Sequence, residues 1–238
     1  MMNRRALLLG FLPLPAFGAD FTSQLWTDVR PIYTATTNHP FLLGLADGTL
    51  PQRKFQFYLL QDGRYLHVFG RALNVLASKA PRAEWAEILN EHAIGSLKEE
   101  RDLHQRLLAG FGLSRESMNE VAPAPSNYAY TNHLMVAVER LSFMEGLAAM
   151  LPCYWVYWEV GKELKKRGSK NAAYRKWIDQ YAGAEYGAVV KQVLDMMNAE
   201  AEGAPESIRK SARKLFVLSA RYEYMFWDMA WREENWAP

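Results

Sequence analysis

The chain contains one cysteine, Cys153, in the stretch "AAMLPCYWVYWEVGKEL". A proline precedes it, and four of the next five residues are aromatic. A lone cysteine cannot form an intrachain disulfide. It is either a small buried hydrophobic residue or a nucleophile. Because most free cysteines are simply buried, only other reactive groups placed near it would favour the nucleophile.

Two carboxylates interrupt apolar helix faces in this sequence. Apolar residues recur at steps of four and three in the second predicted helix, and Asp62 occupies one position of that stripe, which contains Phe55, Leu59, Asp62, Leu66, Phe69, Leu73 and Leu76. Glu223 shares a face of the last predicted helix with Phe216, Ser219, Phe226 and Ala230. Burial of an unpaired charge is costly. Burial also raises the pKa of a carboxyl group, which suits an acid or base near neutral pH.

Each carboxylate also has a structural interpretation. Asp62 could turn to the helix edge and meet Arg64, and Glu223 could pair with Arg221 or with another helix. A thiol and two carboxylates that all lie on tyrosine-rich apolar faces nevertheless favour a common site, because a buried phenol needs a hydrogen-bond partner.

The chain from Phe21 onward is predicted to be a single all-α domain. No β-type alternation extends over six or more residues. The predicted helices span about residues 22–37, 51–79, 82–109, 127–150, 152–167, 171–181, 184–200 and 205–235. Stretches rich in glycine and proline, such as "HPFLLGLADGTLP", fall between these helices. Ser126 and Asn127 are candidate caps, and Pro152 either kinks a helix or starts a new one.

The first twenty residues, "MMNRRALLLGFLPLPAFGAD", differ from the rest of the chain. Paired arginines precede an apolar run that ends in small residues, an order typical of an export signal, and the arginine pair is typical of the twin-arginine type. The alternative is an extension without a targeting role. We therefore predict a signal peptide over residues 1–19 and a helical domain over 20–238. The protein is periplasmic or exported if the signal is used, and cytoplasmic otherwise.

The charge balance argues against nucleic acid as a partner. The chain has 28 Lys and Arg against 26 Asp and Glu. Residues 1–19 hold two arginines and no acidic residue, so the remainder carries 28 − 2 = 26 positive and 26 negative charges. A neutral body does not attract a polyanion strongly. No run of about 18 apolar residues occurs, so we predict no stable membrane insertion after signal removal.

Four stretches resemble the thiaminase II (TenA) family: "HPFLLGLADGTLP", "FYLLQDGRYL", "LPCYWVYWEVG" and "YEYMFWDMAW". The resemblance extends in order over residues 21–238. It implies a haem-oxygenase-like helical bundle that usually forms a homotetramer. It also implies hydrolysis of aminopyrimidines derived from thiamin, or of thiamin itself, with the hydroxymethylpyrimidine used for salvage as the product. No cofactor is expected.

The resemblance also implies roles for individual residues. Cys153 resembles the family nucleophile, Glu223 its acid/base, and Tyr65 the phenol that helps to activate the thiol. Asp62 resembles the carboxylate that holds the aminopyrimidine edge. The other expected substrate-binding residues are Tyr130, Tyr157, Tyr181 and Phe226. The segment "AGAEYGAVV" departs from the Gly-Gly-Asp-Trp-Phe found in the same place in one variant of the family, which leaves substrate choice open.

Two other function classes have to be weighed against the hydrolase. A non-catalytic pyrimidine or thiamin binder, or a regulatory protein of the same fold, would keep the pocket without needing thiol, acid and carboxylate together. The second class is a di-iron carboxylate bundle or a haem enzyme, and di-iron bundles commonly use Glu-x-x-His pairs. None of the five histidines has a glutamate three residues before it, so we predict no metal site. His39 is expected to make a hydrogen bond near the "HPF" turn.

Overall fold

The computed structural model describes residues 20–100, 110 and 121–238, which form helices and no strand. The α-helices of this part of the chain are α1 Phe21–Thr37, α2 Pro40–Asp47, α3 Gln52–Ala77, α4 Ala83–Gly95, α5 Pro125–Arg140, α6 Phe143–Arg167, α7 Ala172–Tyr181, α8 Ala184–Gly203 and α9 Glu206–Arg232. A π-helical segment, Ser96–Glu100, continues α4. The predicted all-α class is confirmed. The predicted signal, residues 1–19, lies outside the described residues.

Helix α2 occupies a stretch that the sequence analysis placed between helices. Pro40 is at its first position, the imidazole of His39 accepts a hydrogen bond from the backbone N–H of Phe41 at 3.2 Å, and Gly48 ends it with φ of 84°. The proline and glycine are therefore the two ends of a short helix, because proline is favoured at the first helical position and glycine at the left-handed position after the last. The expected role of His39 is confirmed.

The predicted division between residues 150 and 152 is wrong. The chain leaves the helical conformation at Leu141 and Ser142, and Ser142 starts α6 through a capping box with Glu145. Pro152 lies inside α6, which continues to Arg167. One proline removes one backbone hydrogen bond, whereas the capping box satisfies two N–H groups at a natural helix start. The predicted caps Ser126 and Asn127 are also wrong, because α5 already begins at Pro125 and has no side-chain cap.

Helix α6 is the central element of the bundle. Every residue from Phe143 to Tyr157 is buried, so this helix is enclosed on all sides, as a helix in the interior of a protein is. It contacts α1, α2, α3, α5, α7, α8 and α9. Residues on several faces of α6 therefore meet side chains from different helices. No helix in the described ranges is long and apolar enough to cross a membrane.

Helices α6 and α7 approach each other closely at Gly161. A β-carbon at this position would lie 2.7 Å from the carbonyl carbon of Tyr181 and 2.8 Å from the backbone nitrogen of Ala182. Both neighbours are backbone atoms, which cannot rotate away. The glycine therefore sets the distance between α6 and the end of α7, where Tyr181 is located.

We predict that Gly161→Ala lowers the free energy of unfolding by about 1–3 kcal/mol, because the added methyl group overpacks the contact. In an open helix position the same change would raise stability. Gly203→Ala, at the end of α8, is the matched control, since a β-carbon added there would have no neighbouring atom within 4 Å. Chemical denaturation of both variants checks this, and equal stabilities for the two would contradict it.

Candidate active site

The two stripe carboxylates lie inside the helix bundle. Asp62 in α3 and Glu223 in α9 are 2% and 1% exposed, and the other members of both stripes are buried as well. The burial expected from their spacing is confirmed. Glu223 accepts a hydrogen bond of 2.6 Å from the hydroxyl of Tyr130 in α5. The carboxylates therefore face the interior rather than the helix edges.

Cys153, in α6, is 8% exposed and lies beside Tyr65 of α3. The hydroxyl of Tyr65 makes no hydrogen bond of regular geometry within the described residues, but it is close enough to the thiol to interact with it. Burial first, and then the charges of Cys153, Tyr130 and Glu223, raise the pKa of Tyr65 well above its ordinary value. Tyr65 therefore keeps its proton and can donate it in a hydrogen bond to a thiolate.

The carboxyl group of Glu223 is a weak acid in this environment. Burial raises its pKa to about 8, the hydrogen bond from Tyr130 lowers it, and the charge of Asp62 raises it. A carboxyl group with this pKa is largely protonated at neutral pH, so Glu223 can act as a proton donor there. Burial is also the first cause that raises the pKa of Tyr130, which keeps that phenol protonated as a donor to Glu223.

Tyr157 of α6 and Tyr181 of α7 lie next to each other in the same interior. The hydroxyl of Tyr157 accepts a hydrogen bond from Tyr58 at 3.4 Å, and its ring centroid lies 4.9 Å from that of Tyr181. Burial, followed by the charges of Tyr58, Asp62 and Glu223, raises the pKa of Tyr157 well above its ordinary value. Asp62 is thus near enough to both Tyr157 and Glu223 to influence each of them.

The structure brings all eight candidate site residues into one buried cluster. They come from five helices: Asp62 and Tyr65 from α3, Tyr130 from α5, Cys153 and Tyr157 from α6, Tyr181 from α7, and Glu223 and Phe226 from α9. Phe226 packs edge-on against Tyr65, with ring centroids 5.5 Å apart. A thiol, a protonated carboxyl group, a second carboxyl group and several phenols are the groups required for nucleophilic and acid–base chemistry on a flat, polar heterocycle.

Gln61 holds the α5 end of this site, a role that the sequence analysis missed. Its side chain donates to the carbonyl of Ala122 at 3.0 Å and accepts from the backbone N–H of Ala124 at 2.9 Å. Asn127 donates to both the backbone and the side-chain oxygen of Gln61. These bonds tie the start of α5, and with it Tyr130, to α3. A glutamine next to the stripe aspartate was the signal available in the sequence.

Two buried tryptophans support the tyrosines and were also missed. Trp227 stacks on Tyr58 at 5.2 Å and contacts Tyr157 at 5.1 Å, and Trp177 contacts Tyr157 at 6.1 Å between ring centroids. Both indoles are fully buried. Trp227 directly follows Phe226, so the face of α9 that lines the cluster is wider than the stripe that the sequence analysis identified.

Tyr186 links the divergent segment "AGAEYGAVV" to the cluster. Its hydroxyl donates to the backbone carbonyl of Cys153 at 3.3 Å, and its ring packs edge-on against Tyr181 at 5.1 Å. The segment thus contacts both the candidate nucleophile and a candidate substrate-binding residue. No group of three or more His, Cys, Asp or Glu that could hold a metal ion occurs among the residues of known placement.

Comparison with known proteins identifies the family. The sequence model of the TENA/THI-4/PQQC family matches residues 26–233, which is most of the chain. The chain belongs to this family. The resemblance identified from the four motifs is therefore confirmed.

Relatives of known name and structure agree with the family assignment. The aminopyrimidine aminohydrolase of Bacillus subtilis (strain 168) is 37% identical over 199 residues, 84% of this chain and 84% of that protein. A TenA homologue from P. horikoshii OT3 has a TM-score of 0.84 at 32% identity, over 90% of this chain and 99% of the other. A domain with a haem oxygenase-like fold from Shewanella denitrificans OS217 has a TM-score of 0.71 at 13% identity, over 89% and 92% of the two chains. The last comparison shows the fold alone, and it confirms the expected haem-oxygenase-like bundle.

The raised pKa of Glu223 predicts a pH-dependent stability. Its value is 4.5 in an ordinary environment and about 8 in the folded protein. The folded state therefore keeps a proton that the unfolded chain releases between these values. The contribution to stability is fully present below the unfolded pKa and is lost as the pH rises through the folded pKa.

The side chain of Glu223→Gln resembles the protonated acid. From about pH 5 to about pH 9, we therefore expect the free energy of unfolding of this variant to fall less than that of the wild type, with a difference on the order of a few kcal/mol. Urea unfolding at both pH values measures this difference. Glu206→Gln, at an exposed position in the first turn of α9, is the control. Parallel pH dependences for wild type and Glu223→Gln would show that the buried carboxyl group does not hold the proton.

Proposed function

We propose that the protein is an aminopyrimidine aminohydrolase of thiamin salvage, which converts an aminomethylpyrimidine into its hydroxymethyl product and also cleaves thiamin. The observation that carries the proposal is the cluster in which the thiol of Cys153, the protonated Glu223 and Asp62 meet inside an aromatic interior. The 37% identity to the aminohydrolase of B. subtilis supports it.

Asp62 binds and orients the substrate in this proposal. An aminopyrimidine presents an amino donor next to a ring nitrogen, and a buried carboxyl group can form hydrogen bonds with that edge. Tyr157, Tyr181 and Phe226 enclose the flat ring. Orientation by fixed groups lowers the barrier because the ring does not have to find the reacting geometry from solution.

Cys153 and Glu223 carry out the chemistry in this proposal. The thiolate forms a bond from Sγ to a ring carbon while Glu223 gives its proton to a ring nitrogen, so the ring accepts the electron pair without gaining a negative charge. The substituent on the exocyclic methylene then leaves with its bonding pair, a protonated amino group as ammonia or a thiazolium as a neutral thiazole. Water adds to the methylene and loses one proton to solvent. The Cys153–ring bond breaks with its electron pair on Sγ, the ring nitrogen returns its proton to Glu223, and the aromatic ring is restored. Tyr65 stabilises the thiolate with a hydrogen bond, and Tyr130 positions Glu223.

Release of ammonia from aminomethylpyrimidine by the purified protein is the direct test. Ammonia and the hydroxymethyl product in equal amounts support hydrolysis. Binding of the pyrimidine without ammonia release would support the alternative, a non-catalytic binder or regulator of the same fold.

We predict that Cys153→Ser lowers kcat by more than about a thousandfold, because a serine hydroxyl is a far weaker nucleophile than a thiolate in the same position. The variant should still bind the hydroxymethyl product, since Asp62 and the tyrosines are unchanged. Steady-state kinetics and calorimetric titration measure the two effects. A kcat of Cys153→Ser equal to that of the wild type would contradict the covalent route.

Tyr130→Phe should shift the pH profile of kcat/KM. The hydrogen bond from Tyr130 lowers the pKa of Glu223, so its removal raises that pKa further. Glu223 then keeps its proton to higher pH, so the descending alkaline limb of the kcat/KM profile moves to higher pH. Tyr128→Phe, at an exposed position on the same helix, should leave that limb in place. An alkaline limb that moves to lower pH in Tyr130→Phe would contradict the assignment.

Two further proposals concern location and assembly. Residues 1–19 direct export, which predicts recovery from the periplasm of a protein whose first residue follows Ala19. Recovery of the intact N-terminus from the cytoplasm would contradict it.

The family resemblance also supports a homotetramer. Light scattering of the purified protein measures the assembly directly, and a monomer would contradict it.

A further inference from the structure

The first turn of α5 is held by a carboxylate from the tail after α9, residues 233–238. The helix has no side-chain cap from its own N-cap residue, Ala124, and Pro125 has no backbone N–H. The backbone N–H of Ser126 donates instead to Oε2 of Glu234 at 2.8 Å. Glu234 thus does the work of a capping side chain, because it binds an N–H group that the helix leaves free, at the helix end that attracts negative charge.

A left-handed turn after α9 precedes Glu234. Glu233 has φ of 51°, and among the described residues other than glycine it alone has a positive φ. This conformation is unfavourable for a residue with a β-carbon. The carboxylate of Glu233 pairs with Arg53 at 3.4 Å and with Lys54 at 3.9 Å, at the start of α3, and Lys54 also donates to the carbonyl of Trp231. These contacts fix the direction in which the chain leaves α9.

Arg232, the last residue of α9, orients the carboxylate of Glu234. Its guanidinium donates to Oε1 of Glu234 at 3.4 Å and to Asp228 at 2.7 Å. Asp228 in turn lies 3.5 Å from Nε2 of His39, the residue before α2. Each carboxylate oxygen of Glu234 therefore has a donor, and its side chain is only 16% exposed.

Trp236 holds the same tail against α5 at a second point. Its indole N–H donates to the carbonyl of Pro123 at 3.0 Å, and its ring packs edge-on against Tyr128, with ring centroids 5.8 Å apart. Pro123 precedes the helix and Tyr128 lies in its first turn. The tail therefore contacts the chain on both sides of the helix start.

The turn that the tail holds leads directly to the proposed acid. Tyr130 lies four residues, about one helical turn, after Ser126, and its hydroxyl makes the 2.6 Å hydrogen bond to Glu223. Gln61 and Glu234 bind two N–H groups at the start of this helix, so α3 and the tail both fix it. A displacement of the turn would move the phenol with it. The contact between the phenol and the acid therefore depends on how the helix start is held.

Resting on the proposed function, we infer that Glu234 is a positioning residue of the acid–base machinery, which caps α5 from the C-terminal tail and thereby holds Tyr130 in hydrogen-bond contact with Glu223. It acts through Tyr130 and not on the substrate. Its effect on the reaction passes through one hydrogen bond, which gives the effect a defined sign.

Positioning and charge have opposite effects on Glu223. The hydrogen bond from Tyr130 lowers the pKa of Glu223, so a weaker bond raises that pKa. Removal of the negative charge of Glu234, acting through space, would instead lower the pKa of Glu223, because a like charge disfavours ionisation. The other titratable groups around Tyr130 and Glu223 stay unchanged in every variant: Asp62, Tyr65, Cys153 and Tyr157.

Glu234→Ala should move the alkaline limb of the kcat/KM profile for aminomethylpyrimidine to higher pH by about half a pH unit or more, which is part of the effect of one hydrogen bond to a charged group. Glu234→Gln keeps an oxygen that can accept from Ser126, so its limb should stay near the wild-type position. Glu234→Asp keeps the charge but withdraws the carboxylate, so it should shift the limb in the same direction as Glu234→Ala. It also covers the case in which loss of the side chain prevents folding.

Glu139→Ala is the matched control, since it removes an exposed acid near the other end of α5 and should leave the limb in place. A limb that moves to lower pH in Glu234→Ala and in Glu234→Gln would show that the charge acts through space, and the inference would be wrong.

A double-mutant cycle with Tyr130→Phe tests the route of the effect. Once the phenol hydroxyl is absent, positioning has nothing to act on, so Glu234→Ala should cause no further shift of the limb in the Tyr130→Phe background. A merely structural role would lower the melting temperature in both backgrounds and would leave the limb unmoved in both. Equal shifts in the two backgrounds would also overturn the inference.

A measurement without turnover separates this inference from the proposed function. The fall in the free energy of unfolding between about pH 5 and about pH 9 reports the pKa of Glu223 in the folded state. A higher folded pKa makes this fall larger, so the fall should be larger in Glu234→Ala than in the wild type, and unchanged by Glu234→Ala in the Tyr130→Phe background. If this holds but the wild type releases no ammonia, the proposed function fails and the positioning of Glu223 stands. If ammonia is released but neither the limb nor the fall responds to Glu234→Ala and Glu234→Asp, the inference alone fails.

Discussion

The site depends on the burial of one carboxyl group. Glu223 is enclosed in α9 against a phenol donor, and a second carboxyl group, Asp62, lies close enough to disfavour its ionisation. Two charges in such an interior would repel each other at low dielectric, so the bundle is most stable with a proton on Glu223. The same proton is the one that the proposed reaction needs. In the proposed reaction, the stability of the fold and the reactivity of the site therefore have one physical cause.

Helix α6 provides the wall that makes this arrangement possible. Because the helix is buried on every side from Phe143 to Tyr157, Cys153 and Tyr157 can meet residues of α3, α7 and α9 within one turn. Close packing at Gly161 brings the end of α7 near enough for Tyr181 to join them. The fully enclosed helix also explains why the cysteine has so many aromatic neighbours. They fill the space around α6, and they leave a groove of about 230 Å³ beside the thiol.

Parts of this arrangement could be predicted from the sequence alone. The steps of four and three around Asp62 and Glu223 identified both carboxylates as buried, because a helix turns by a constant angle per residue. Proline and glycine were less reliable as signs of where helices end. Pro40 and Gly48 stand at the two ends of one helix, and Pro152 lies inside another. The effect of a proline depends on whether a cap or a neighbouring helix compensates for its missing N–H group.

The sequence by itself determined the helical class, the faces that are buried, the family and the residue types available for chemistry, because these follow from local periodicity and from motifs of a few residues. Only the tertiary structure decided which helices meet. It paired Tyr130 with Glu223, placed Gln61 as the link to α5, and set Tyr186 against Cys153. These contacts join residues far apart in the chain, and their geometry depends on how whole helices pack, which no local pattern contains.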